Sequence, residues 1–245
     1  MLRDTWTISK KDIREVLFSR GNKRGGLISI LVVVGLIGVY FPLFSQDTWF
    51  NSPIAVLNWS WMPIFMVTSL VTDSIAGERE RHTLETLLAS RVKDQAILLG
   101  KISAAVLYGW GLFMVSLLVG AVTINVVNWG DPLQFYPLDF FIACAGLSLL
   151  LCVFISAIGV FVSLRAPTAR IAYQRLSLSM LAVIMLPVIL TQILPQGSLA
   201  PMLASLEKID LYYAFWVLGI ALLGLDVLFI LAALARFKRT RLILE

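Results

Sequence analysis

Six predominantly apolar runs, 27–44, 58–76, 96–127, 138–164, 176–194 and 211–235, alternate with short polar segments along the chain. Each is close to or above the roughly 20 residues that a helix needs to cross hydrocarbon. The pattern predicts an all-α polytopic membrane protein, one domain over 1–245, with six transmembrane helices. At ~1.5 Å per residue the third run is too long for one straight crossing, so its helix must tilt, project into water or bend near Gly109-Trp110-Gly111. Ahead of the first run, residues 1–24 form a polar lead-in. Within it "ISKKDIREVLFSR" sets Ile13, Val16 and Leu17 at helical spacing against Lys10, Lys11, Asp12, Arg14 and Glu15. That spacing predicts an amphipathic helix lying in the membrane interface, the alternative being a soluble basic lead-in.

The longest polar interruption is "DSIAGERERHTLETLLASRVKDQ", residues 73–95, between the second and third runs. Glu78, Arg79, Glu80 and Arg81 alternate in sign. Thr83 is placed to cap a short helix whose Leu84, Leu87 and Leu88 fall at i, i+3 and i+4, with Glu85 in the first turn where a carboxylate complements the helix dipole. Two readings fit: a self-neutralising linker in water, or a helix that docks in a groove on a soluble partner.

Composition agrees with the pattern. Hydrophobic residues make up 59% and charged residues 14%, with a mean hydropathy of +0.87, far from the roughly 45–50% and ~25% of soluble domains. Of 20 Lys and Arg residues, all but Lys208 fall before the first run, in the second connection and its exit into the third run, in the fourth connection, or after the last run, which predicts both termini on the cytoplasmic side. Trp49 and Trp129 fall in the opposite connections, as interfacial aromatics do. Topology and anionic inner-leaflet lipid then account for the net charge of +5 without nucleic acid. Nothing before Leu27 reads as a removable signal.

Candidate chemistry is sparse. Cys144 and Cys152 share the fourth run and read as small hydrophobes, with no disulfide and no metal. His82 is the single histidine, so an HExxH zinc site, a pair of axial haem histidines and a Ser-His dyad embedded in the membrane are all excluded. No G-x-x-x-x-G-K-[ST] phosphate loop occurs, and the chain is not expected to be an enzyme or to bind a cofactor.

The order of residues in the charged loop resembles ABC transporter permeases of the ABC-2 type. Those loops read Gly-Glu-x-Glu-x-Gly-Thr-Leu-Glu-x-Leu-Leu, then a Pro-containing turn and a Gly-Lys at the start of the third span. Gly77, Glu78, Glu80, Thr83, Leu84, Glu85, Leu87, Leu88, Gly100 and Lys101 match. His82 stands where the family has Gly, and Arg91 where it commonly has Pro. The resemblance implies a membrane subunit of an ATP-driven exporter in the prokaryotic plasma membrane. It implies as partners a second permease chain, identical or related, and a separate cytoplasmic ATPase that carries the ATP and Mg. It also implies an ATPase-coupling element made of Glu78, Glu80, His82, Thr83, Leu84, Glu85, Leu87 and Leu88, with Leu84 and Leu87 as its apolar anchor. The alternative is a non-transport scaffold or signalling protein, which leaves the ordered loop motif without a purpose.

Two further acids need an account, because an Asp at the bilayer centre costs about 2.5–3.5 kcal/mol on insertion scales. Asp226 lies ten residues before Arg236, and must face protein or water. It is either a contact in the translocation path or a protonated or hydrogen-bonded group that holds helices together. Asp73, nearer the loop, is expected to pair with Lys101 or another loop cation. Pro63 and Pro187 can kink the second and fifth spans. The segment "PQGSLAPMLASLEKID" reads as either an outer lid or an interfacial loop.

Overall fold

The computed structural model describes residues 1–18, 23–45, 61–130, 132–193 and 211–237, and every regular element longer than a single bridge among them is helical. The segment 195–210 and the first outer connection around Trp49 lie outside the described residues, as do the side chains of Leu88, Pro63 and Pro187. The amino-terminal helix α1 (Leu2–Phe18) precedes α2 (Lys23–Gly35), a π-helical turn (Leu36–Tyr40) and α3 (Phe41–Phe44). Then come α4 (Trp61–Thr72), a second π-helical turn (Asp73–Gly77), α5 (Glu78–Glu80) and the short α6 (Leu84–Ala89). Four long helices complete the chain: α7 (Asp94–Val127), α8 (Leu138–Ser163), α9 (Ala169–Ile193) and α10 (Leu211–Arg236).

Four segments among the described residues are long and apolar enough to cross a membrane: Leu27–Phe44, Asp94–Val127, Leu138–Ser163 and Trp216–Arg236. Helices α4 and α9 occupy the second and fifth apolar runs, each of which continues outside the described residues. Helix α7 is unbroken for 34 residues, about 51 Å at ~1.5 Å per residue. Its hydrogen-bonded run passes through Gly109-Trp110-Gly111 without a break. Its first turns instead carry α1 as a buttress: a Cβ on Gly100 would stand 2.9 Å from Ile8 Cβ and 3.1 Å from the Thr5 carbonyl. Only glycine leaves room for that approach.

Each π turn has an identifiable cause. Pro42 has no N–H to give the Gly38 carbonyl four residues earlier, so the first span widens there, and Thr123 Oγ1 on α7 donates to that oxygen at 2.7 Å. In the second span Ser163 of α8 enters the backbone ladder: Ala76 N–H donates to Ser163 Oγ at 2.9 Å, and Ser163 donates to the Thr72 carbonyl at 3.0 Å. In an uninterrupted α-helix those two backbone groups would bond each other.

One core fills the end of the bundle where α1 and α6 sit. It unites Ile8 of α1, Val67, Leu70 and Val71 of α4, Leu84 of α6, Ile97, Leu98 and Ile102 of α7, Ile155 and Val160 of α8, and Ala233 of α10 with Phe237 beyond it. Glycines let α4 sit close to both neighbours, since a Cβ on Gly109 would overlap Val67 and one on Gly159 would overlap Val71. A second core around Phe113, Leu117, Tyr136 and Cys144 fills the other end. Outward faces are oily: Trp216, Ile220, Leu223, Leu228 and Leu231 of α10 are all exposed, a surface that water does not tolerate and lipid does.

Candidate functional site

The charged loop folds back on the bundle, and each arm of Glu78-Arg79-Glu80-Arg81 meets a different element. Glu78 is buried, 6% exposed, and pairs through Oε2 with Lys101 Nζ of α7 at 2.9 Å and through Oε1 with Lys11 Nζ of α1 at 3.2 Å. Arg79 donates to the carbonyls of Ala166 (2.8 Å) and Leu164 (3.1 Å) just past the end of α8. Glu80 accepts from the Ala169 N–H at the start of α9 at 3.3 Å. Arg81 donates to both carboxylate oxygens of Asp73, at 3.0 and 2.9 Å. The carboxylate of Asp73 lies over Gly77, where any Cβ would collide with it.

Lys101 is the centre of this arrangement. Only 1% exposed, it faces Glu78, stands 3.7 Å from Asp12 Oδ2 of α1, and donates to the Ser74 carbonyl in the π turn at 2.5 Å. Burial pushes the Asp12 carboxyl above its ordinary value, while the Lys101 ammonium opposes that shift and the Glu78 carboxylate adds to it. Asp12 therefore belongs to the packed face of α1, with Ile8 and Ser9, and not to its watery side. The Arg81 guanidinium is held above its usual range by its hydrogen bonds to Asp73.

The loop turns at His82, whose φ is +57°. The Thr83 N–H bonds the Glu78 carbonyl at 2.9 Å and the His82 N–H bonds the Arg79 carbonyl at 3.1 Å. That paired 6→1 and 5→2 bonding is a Schellman closure, and its left-handed position favours glycine. Thr83 precedes α6 but makes no side-chain cap, because its hydroxyl donates to the Glu78 carbonyl at 3.2 Å. Leu84 is 4% exposed and sits in the core, and Leu87 packs against the same cluster. Glu85, Thr86 and Ala89 are exposed, as are Arg81, His82 and Thr83. Helix α6 ends at Ala89 without a proline, because Ser90 is extended (ψ 160°) and its hydroxyl donates to the Leu87 carbonyl at 2.7 Å.

The sequence model for "ABC-2 family transporter protein" matches residues 62–242, most of the 245-residue chain. The chain belongs to this family. No curated protein matches it. As an ABC-2 family chain it is an integral membrane permease subunit of an ABC transporter, and the geometry gives several residues of the loop and the start of α7 a physical task. Gly77 makes room for Asp73, Glu78 and Lys101 neutralise each other, the position of His82 takes the left-handed turn, and Gly100 admits α1. Glu80 is exposed but turned toward α9.

Two contributors escaped the sequence reading. Asp12 reads as one polar residue among several in the lead-in, and Ser163 belongs to no motif in the sequence. Their only sequence signals are a carboxylate i+4 from an apolar Ile8 and a serine i+4 from Gly159. Asp226, remote from this site, is turned into protein at 4% exposure, and its two oxygens have no hydrogen-bond partner among the described residues. Arg236 does not reach it and stacks on Phe161 at 4.7 Å.

Breaking a buried ion pair costs about 3–5 kcal/mol, whereas an exposed one contributes about 0–1 kcal/mol. Lys101→Met is therefore expected to lower the thermal unfolding midpoint of the detergent-solubilised chain by far more than Lys11→Met, whose side chain is 53% exposed. Equal shifts would show that Lys101 does not anchor the loop. At the turn, His82→Gly is expected to keep or raise that midpoint, because glycine adopts φ +57° freely, and His82→Val to lower it through a destabilisation of about 1–2 kcal/mol.

Proposed function

We propose that this chain is the six-span membrane half of an ATP-driven exporter, with both termini in the cytoplasm, two such chains side by side, and a separate ATPase docked on α6 of each. The observation that carries the reading is the division of α6 into two faces. Leu84 is sealed into the core shared by α1, α4, α7 and α8, while Glu85 and Thr86 are exposed beside it. A push on the outer face of α6 reaches the spans through that core and through the Glu78–Lys101 pair. A permease without a phosphate loop needs such a stiff contact if nucleotide bound elsewhere is to bias its two conformations.

On this reading the docking surface is narrower than the loop motif. His82, Thr83, Glu85 and Thr86 meet the ATPase, with Glu85 supplying an acceptor for a basic or hydrogen-bonding group. Glu78, Leu84 and Leu87 brace the helix from behind, and Glu80 fastens the loop to α9.

The test is co-purification of the tagged chain, gently extracted from its membrane. Glu85→Arg is expected to leave the chain folded, with an unchanged unfolding midpoint, and to remove at least tenfold of a phosphate-loop ATPase that accompanies the wild type. Leu84→Asp is expected to damage the chain itself, since it drives a carboxylate into the core. No ATPase with the wild type, or full retention with Glu85→Arg, would contradict the docking face.

A further inference from the structure

We infer that Ser163 is a positioning residue for coupling: its hydroxyl is a wedge that fixes the helical register of the second span and thereby sets the direction in which α6 points. The functional half of this inference rests on the proposed docking role of α6; the structural half does not.

The serines of α4, α7, α8 and α9 otherwise bond their own helix. Ser69 donates to the Met66 carbonyl, Ser103 to Gly100, Ser116 to Leu112, Ser148 to Ala145, Ser156 to Cys152, Ser177 to Gln174 and Ser179 to Leu176. That is the ordinary outcome for a hydroxyl in a helix, where a carbonyl three or four residues back is within reach. Ser163, fully buried, gives its proton to the Thr72 carbonyl of another helix and takes one from the Ala76 N–H. One donor and one acceptor of a single hydroxyl are thus used on two backbone groups that would otherwise bond each other.

The approach is prepared one turn earlier. Gly159 lies four residues before Ser163 on the same face of α8, and its missing side chain lets Val71 close on the helix. The small face of α8 brings the backbone of the second span near enough for a side chain as short as serine to enter its ladder.

A π turn is an α-helix with one residue inserted. If the hydroxyl is removed, the Thr72 carbonyl and the Ala76 N–H can bond directly, and everything beyond them rotates by one residue, roughly 100°. Glu78 then leaves Lys101, Arg79 leaves the Leu164 and Ala166 carbonyls, and α6 turns away from its seat. Lys101 opposes that change from the other side, because its ammonium already occupies the Ser74 carbonyl inside the turn. Ser163 and Lys101 therefore hold the same five residues from two neighbouring helices.

The experiment measures the distance between spin labels at Thr86→Cys and Arg165→Cys, both exposed positions, in the full chain in lipid nanodiscs with Cys144 and Cys152 replaced by alanine. Ser163→Ala is expected to shift that distance by roughly 5 Å or more, as a ~100° turn about a helix of ~10 Å diameter requires, and Ser163→Thr, which keeps the hydroxyl, to leave it in place. Deleting Ser74 in the Ser163→Ala background removes the inserted residue and is expected to restore the wild-type distance. An unchanged distance in Ser163→Ala overturns the wedge. If that variant fails to fold, the deletion variant decides: a folded chain with the wild-type distance supports the wedge, and an unfolded or displaced one overturns it. In the ATPase complex, Ser163→Ala is expected to keep the ATPase bound but lose at least tenfold of transport per ATP hydrolysed, and Ser163→Thr to retain it. Normal transport with a shifted distance overturns the positioning role. A shifted distance with no ATPase ever bound removes the docking reading and leaves the wedge standing.

Discussion

An ammonium group held at 1% exposure must find its counter-charges inside the protein, and Lys101 finds them on two elements far apart in sequence. Asp12 comes from the amino-terminal helix and Glu78 from the loop after the second span. Desolvating an ion costs several kcal/mol, and only close, well-placed partners offset it. The foot of the bundle is built around that requirement: Gly100 brings α1 onto α7, the π turn presents the Ser74 carbonyl, and the Schellman closure at His82 ends the helix that carries Glu78. Buried ion pairs are a poor route to raw stability, since an apolar substitute often serves as well. What this cluster provides is a fixed geometry, because its members bind one another in a single arrangement.

Rigidity at this end has a consequence for how the spans move. Helix α6 is only six residues long, too short to be stable as an isolated helix. It persists because Leu84 is buried and because the chain on either side is fastened, at the Glu78 carbonyl before it and by Ser90 after it. The four arms of Glu78 to Arg81 add attachments to α7, α8, α9 and the π turn. On the proposed docking of an ATPase at α6, these attachments would pass a displacement of the helix to several spans at once.

Much of this was legible in the sequence, and the remainder has a physical reason for being hidden. Hydropathy and length identify a helical membrane chain, and the residues around Thr83 mark where α6 begins within a residue. The identity of a side chain does not say which way it turns. Glu78 reads as a loop carboxylate until Lys101, 23 residues later, is seen beneath it, and the spacing of Leu84 does not say that its side chain joins the core of the bundle. Asp73, expected to pair with Lys101 or another loop cation, pairs with Arg81 of its own loop, while Lys101 faces Glu78 and Asp12. The π turn near Leu36 had a visible cause in Pro42, whereas the turn at Asp73 depends on Ser163, 90 residues away, and no local pattern records it.

The central claim is that α1, α6 and the feet of the second and third spans form one rigid unit. A distance measurement between spin labels at Arg14→Cys on α1 and Thr86→Cys on α6 tests it most directly, in the assembled transporter with and without nucleotide on the ATPase. A single narrow distance that is the same in both states is the predicted result. A distance that broadens or shifts with nucleotide would mean that α6 moves independently of α1, and that the buried lysine does not hold them together.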